Sequence, residues 1–224
     1  MLILALDTAV AACSVALWRD GKVLAAARET MDQGQAEALM PMIEEVMAKA
    51  GVSYAALDRI AVTVGPGSFT GVRVGLAAAR GLGLAAGKPV VGVMTTEVLA
   101  AAVPEIERKD GVHILAAIDT KRGDLYVQQF DSAARAAGTV VALAPDDLAA
   151  WCAAGDVVVV GDGAAIARAA LGARATASNA ETLPNVEVLA ALVAAREPVA
   201  GGPLPVYVRA PDAVIPQHGG RLRP

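Results

Sequence analysis

The run Gly65-Pro66-Gly67-Ser68-Phe69-Thr70-Gly71 joins a compact β-type stretch at residues 60–64 to a helix of small residues at 72–86. Glycines between a strand and a helix let backbone N–H groups face an anion at the positive end of the helix dipole. The run is not a Walker loop, since no Gly-Lys-Ser/Thr follows, and the spacing and later acidic residue of a dinucleotide fingerprint are missing. Two readings of Gly65, Gly67, Ser68, Thr70 and Gly71 stay open. In the favoured one the run is a rigid turn: Pro66 fixes φ, Gly67 and Gly71 take unusual angles, and Ser68 or Thr70 caps the helix. In the other it touches an anion.

Three glycines, Gly75, Gly81 and Gly83, stand inside that helix. Each weakens an isolated helix by about 1 kcal/mol relative to alanine, so close contacts are expected to compensate. At 100° per residue Arg73, Ala77, Arg80 and Leu84 share one narrow face, with Val72, Gly75, Ala79, Leu82 and Ala86 largely opposite. One face can pack on a sheet, and the other exposes an apolar stripe unless a second helix covers it. The preceding helix, with Leu39, Ile43, Val46 and Ala50 at helical spacing and Gly51 as its stop, is the candidate cover. Because Pro41 lies inside that pattern, the helix either begins near Leu39 or bends in its first turns. Its Met40, Met42 and Met47 suit a core, or a surface that accepts partners.

Three short apolar runs at residues 2–6, 12–18 and 22–28 read as an antiparallel meander, with Asp20-Gly21 supplying a type I′ turn. The crossover from 60–64 through the helix to 89–93, then a helix near 97–103, completes a ribonuclease-H-like order. A second meander opens at 113–118, 125–130 and 139–143. Asp146 is expected to cap a helix containing Trp151, followed by a strand at 157–160 and helices at 164–171 and 186–195, with an irregular tail over 210–224. The expected class is α/β, divided as 1–103 and 104–224.

Hydrophobic residues make up 55% but aromatics only 3%, the excess being alanine. A net charge of −4 and a pI near 5.2 leave any nucleic acid to be held by a partner. Cys13 and Cys152 are too few for a disulfide framework, and a reducing cytoplasm fits. The N-terminus has no basic region before its apolar run, and Arg73 and Arg80 interrupt the longest apolar stretch, so neither a signal peptide nor a membrane span is expected.

Chemistry has few candidates. Asp7 ends the first strand and could hold magnesium on a phosphate, with Thr8 beside it, but the favoured reading is that Asp7 caps a turn; Asp119 is the one obvious mate, and a hairpin turn explains it equally well. His113 and His218 form no zinc motif, Ser14 and Ser68 lack a GxSxG setting, and no metal site is expected. Gly161-Asp162-Gly163 suits a strand-to-helix turn or a nucleotide contact. Arg209, Arg221 and Arg223 read as a solvated end.

Several segments together resemble the TsaB family: residues 3–8 (ILALDT) with 13–17 (CSVAL), the run at 65–71 continued by Val72-Arg73, residues 119–126 (DTKRGDLY) and residues 205–212 (PVYVRAPD). The resemblance implies an actin-like ATPase (ASKHA) fold of two ribonuclease-H-like lobes, the second reduced. It also implies a cytoplasmic part in making N6-threonylcarbamoyladenosine at position 37 of tRNAs that read ANN codons. In that family the chain is an accessory subunit. A TsaD-like catalytic subunit docks on the two N-terminal helices, here at Met42, Glu45, Arg73, Ala77, Arg80, Gly81 and Leu84. A TsaE-like ATPase is recruited, and tRNA is reached only through the complex. The chain is expected to pair with itself when alone, to carry no cofactor of its own, and to meet ATP or ADP in the partner complex. Asp7, Thr8 and Asp119 then mark a vestigial nucleotide site. Where a histidine often precedes Ala-Glu in that family, this chain has Gln35-Ala36-Glu37. The alternative is an ATP-dependent phosphotransferase or ATPase of the same fold; a metallopeptidase is set aside because no metal triad exists.

Overall fold

A computed structural model describes residues 1–209; the segment 210–224, with His218, Arg221, Arg223 and the end of the 205–212 signature, lies outside the described residues. The first meander forms as its alternation requires: β1 (Leu2–Asp7), β2 (Ala12–Arg19) and β3 (Lys22–Thr30) pair antiparallel. Asp20 and Gly21 both take positive φ, 46° and 87°, the combination a type I′ turn needs. Helix α1 (Gln35–Ala50) starts four residues before Leu39 and continues through Pro41. Then β4 (Arg59–Thr63), α2 (Phe69–Ala86) and β5 (Val90–Val93) make the parallel crossover, giving a sheet of order β3-β2-β1-β4-β5.

After α3 (Thr95–Ala102) the pattern repeats with β6 (His113–Asp119), β7 (Leu125–Phe130) and β8 (Val141–Leu143). Helix α4 (Leu148–Trp151), β9 (Val157–Val160), α5 (Ala164–Leu171) and β10 (Ala175–Ala177) complete a sheet of order β10-β9-β6-β7-β8. Strand β10 was not expected: three residues with two exposed alternate with nothing. Asp146 does not cap α4. It lies in a short 3-10 turn at Pro145–Asp147, and Asp147 takes the capping position without a side-chain bond. The last described helix, α6 (Val186–Ala194), is capped by Asn185, whose Oδ1 accepts from the amides of Glu187 and Val188.

The division at residue 103 separates the two sheets but not the layers. Helices α1 and α2 cover one face of the first sheet, where Leu4, Leu6, Val15, Ile43, Val46, Val62 and Leu76 are buried together. The other face is covered by α6, from the far half of the chain, through Val186, Leu189, Ala190 and Val193 against Ile3, Ala5, Ala61 and Val91. Conversely Leu99, Ala100 and Val103 of the α3 region pack on Ile114, Ala116, Phe130 and Val160 of the second sheet. Each lobe therefore borrows a helix from the other half of the sequence.

Candidate functional site

Glycine decides how the run at 65–71 sits. Gly65 is the residue with positive φ, 97°, and its bond to Pro66 is cis. Gly67 and Gly71 do not have the unusual angles expected of them. Their lack of a side chain serves close approach instead: a Cβ on Gly67 would lie 2.1 Å from the Ala9 carbonyl oxygen, and one on Gly71 2.0 Å from that of Thr8. Two hydrogen bonds fasten the same contact, Ser68 N to Ala9 O at 2.7 Å and Thr8 Oγ1 to Gly71 O at 2.7 Å. Ser68 also caps α2, its Oγ accepting from Gly71 N. The rigid-turn reading accounts for every one of these contacts.

That packing shuts Asp7 and Thr8 away. Asp7 is fully buried; its Oδ1 accepts from Thr63 Oγ1 at 2.5 Å and Ala9 N at 3.2 Å, and its Oδ2 has no partner. Burial raises its pKa to about 6 against the lowering pull of those bonds and of Arg28. Asp119 stands apart from it, in the wall of a cleft of about 870 Å³ between the lobes. The structure thus does not bring Asp7, Thr8 and Asp119 together around one ligand space. The same cleft is lined from the first lobe by Gly67, Ser68, Thr70 and Arg73. It is bonded locally: it accepts from Lys121 N at 2.8 Å and Lys121 Nζ at 3.0 Å, and its own amide donates to Asp162 Oδ1 at 2.9 Å. Burial would raise the Asp119 pKa, but the Lys121 bonds outweigh it and hold the carboxyl low, whereas desolvation pushes Asp162 up. No group of three or more His, Cys, Asp or Glu side chains capable of holding a metal exists among the described residues.

On α2 the two faces separate cleanly. Val72, Gly75, Leu76, Ala79 and Gly83 are buried, and Arg73, Ala77, Arg80, Gly81 and Leu84 are exposed, Leu84 to 87%. Of the three internal glycines, two are compensated by the chain's own sheet. A Cβ on Gly75 would meet Thr8 Oγ1 at 2.6 Å, and one on Gly83 would meet Val90 Cγ2 at 2.5 Å, whereas one on Gly81 meets nothing. Helix α1 packs beside α2 near Val74, Ala78 and Leu82 and leaves the exposed face open. Met42 does not belong to that face: it is 8% exposed and part of the core with Ile43 and Met47. Glu45 is exposed, paired with Lys49 one turn on. Arg73 and Arg80 are not free arms. The Arg73 guanidinium lies 3.2 Å from the Phe69 ring centre and 5.2 Å from that of Tyr207, and Arg80 donates to the Pro203 carbonyl. The return of residues 203–207 to α2 was not legible along the chain, because a segment held by one backbone–backbone bond, Val206 N to Val64 O, carries no periodic pattern.

Two mixed sheets, each opening on an antiparallel meander and facing the other across a cleft, define an actin-like ATPase (ASKHA) fold. A polyphosphate/ATP-glucomannokinase from Arthrobacter sp. strain KM shares it at a TM-score of 0.55 and 11% identity, over 87% of this chain and 98% of that one, a likeness of fold alone. Within that class, the family model described as TsaD, tRNA N6-adenosine threonylcarbamoyltransferase, matches residues 29–202. The Escherichia coli K12 protein named tRNA threonylcarbamoyladenosine biosynthesis protein TsaB is 41% identical over 131 residues, 58% of this chain and 55% of that one. The solved YeaZ from Pseudomonas aeruginosa is 34% identical with a TM-score of 0.78, over 92% of this chain and 99% of that one. The chain belongs to the TsaB family, inside the wider family that the TsaD model describes. It spans about half the length of the curated relatives it matches. No described helix is long and apolar enough to cross a membrane.

Proposed function

We propose that this chain is a non-catalytic subunit that docks a TsaD-like transferase through the exposed face of α2, in the formation of N6-threonylcarbamoyladenosine at position 37 of tRNAs that read ANN codons. The observation that carries the reading is the bare stripe of Ala77, Gly81 and Leu84, small residues beside one leucine 87% exposed, on a helix whose other face is fully used. Small residues let a partner helix come close, and an uncompensated glycine at the point of contact removes the last side chain between two backbones. The names of the family's relatives supply the reaction. Recruitment of a TsaE-like ATPase, pairing of two copies through the same face when the partner is absent, and ATP or ADP bound only within the complex belong to the same proposal.

The alternative, an ATP-using phosphotransferase, needs a carboxylate facing a phosphate across the cleft. Asp7 is sealed behind the 65–71 run and Asp119 is taken up by Lys121, so the geometry favours the accessory role. The test is co-purification of the full chain with the cell's TsaD-like protein. Ala77→Arg should abolish the complex while leaving the thermal midpoint within a few degrees, since residue 77 is exposed. Undiminished binding by that variant, or normal threonylcarbamoyladenosine in tRNA from cells lacking the protein, sinks the reading. ATP turnover by the isolated chain, lost on Asp7→Ala, would instead establish the phosphotransferase.

A further inference from the structure

Arg73 stands where the exposed face of α2 meets the cleft, one turn after Phe69 and one turn before Ala77. Helical side chains lean toward the N-terminus of their helix, and Arg73 does so, its guanidinium lying 3.2 Å from the Phe69 ring centre. Tyr207 adds a second ring with its centre 5.2 Å away, and the two rings are 5.7 Å apart and tilted by 34°. In a chain poor in aromatics, two of them are thus kept at the surface, 56% and 48% exposed, around one cation.

The rings hold this group without using its donors. A ring takes the flat face of a guanidinium and leaves the N–H groups at its edge. Among the described residues no carboxylate or carbonyl oxygen accepts from Arg73, whereas Arg80, two turns on, donates to Pro203 O. The acids of the cleft wall are occupied elsewhere, Asp119 and Asp162 standing 3.0 and 3.9 Å from Lys121 Nζ. A guanidinium fixed in place with its donors unspent suits a planar oxyanion: its fork meets a carboxylate in two parallel hydrogen bonds, and it has little rotamer freedom left to lose on binding.

We propose that Arg73, held against Phe69 and Tyr207, is the charged anchor of the docking face and takes an Asp or Glu carboxylate of the TsaD-like partner in a bidentate ion pair. The inference rests on the docking through α2 proposed above and names what the partner must bring to it. Two features favour a protein carboxylate over a phosphate. Arg73 shares its helix face with Ala77 and Leu84, so a surface laid on that stripe meets it, and Asp32, Asp119 and Asp162 in the cleft walls repel the higher charge of a phosphate. The small residues set how closely the partner approaches, and Arg73 sets its register along α2.

The test is titration of the full chain against the cell's TsaD-like protein at low and high salt. Arg73→Gln should weaken binding about thirtyfold or more, the lower end of what truncating one partner of a desolvated charge pair costs, and should flatten the salt dependence. Arg73→Lys keeps the charge without the fork, so its affinity should fall between the two with the salt dependence retained. Phe69→Leu combined with Tyr207→Leu leaves the guanidinium intact but unheld and should weaken binding about fivefold. Arg73→Gln binding as the parent does, while Ala77→Arg abolishes the complex, overturns the anchor and leaves the docking face standing; both variants binding as the parent does removes the docking reading itself. Arg73→Lys as tight as the parent overturns the bidentate pair, and a ring-deleted variant as tight as the parent overturns the part given to the rings. Inorganic phosphate that shifts the Arg73 Nε resonance of the isolated chain, together with undiminished partner binding by Arg73→Gln, would assign the guanidinium to a phosphate in the cleft and overturn the proposal as well.

Discussion

At Asp7 one carboxyl oxygen takes two hydrogen bonds and the other takes none, in a place with no exposure to water. Ionising such a group costs free energy, and its pKa accordingly rises from the ordinary 3.8 to about 6. The folded chain then binds this proton more tightly than the unfolded one. Its contribution to stability falls as pH rises from about 4 to about 6 and stays lost above that. Asn in its place keeps the accepting oxygen and adds no charge. Asp7→Asn should therefore stabilise the protein by roughly 2 to 3 kcal/mol at pH 7.5 and by little at pH 4, read from urea midpoints at the two pH values. An equal effect at both would mean that the carboxyl is not the titrating group. The sequence showed an acid at the end of a first strand but not its isolation, because what seals it is the approach of the 65–71 backbone, a contact more than fifty residues away in the chain.

The elements around that acid were the most legible part, and α2 shows where legibility stops. Small and apolar residues at helical spacing located the helix and set the exposed Arg73, Ala77, Arg80 and Leu84 apart from the buried Val72, Gly75 and Ala79, although Leu82 and Ala86, expected on the inner face, are only half-buried. What the period could not show is which glycine answers to which neighbour. Gly71 meets the Thr8 backbone and Gly81 meets open space, though the sequence presents both merely as glycines next to an arginine or a valine. Alanine at the two positions should act in opposite directions. Gly71→Ala forces a backbone shift and should cost about 2 kcal/mol or more. Gly81→Ala should gain about 0.5–1 kcal/mol from helix propensity alone. Thermal midpoints of the two variants moving the same way would refute the packing described for this helix. Likewise Met42, a thioether that suits a core or a partner surface equally and that the family resemblance places at the docking face, is turned inward by the helix, whereas Glu45 stays outside.

For the molecule as a whole, the exchange of helices between the lobes matters more than the division at residue 103. A reading along the chain assigns α6 to the second lobe, since nothing in a nine-residue apolar helix says which sheet it will cover. In the structure it closes the first sheet, with Leu189 wholly buried there, while α3 closes the second. Neither lobe has both faces of its sheet covered without residues from the other half of the chain, so the two should unfold as one unit. The two tryptophans allow this to be seen lobe by lobe, Trp18 packing against the core under α6 and Trp151 against the α4 and α5 side of the second sheet. In Trp18→Phe and Trp151→Phe backgrounds, the fluorescence of the remaining tryptophan should report the same urea midpoint. Leu189→Ala leaves a cavity that should cost about 2–5 kcal/mol. Because α6 also touches α3, the loss should lower the Trp151 midpoint as much as the Trp18 midpoint. A Trp151 transition left in place while the Trp18 transition falls would mean that the second lobe stands alone, and that the borrowed helix binds the lobes in sequence but not in energy.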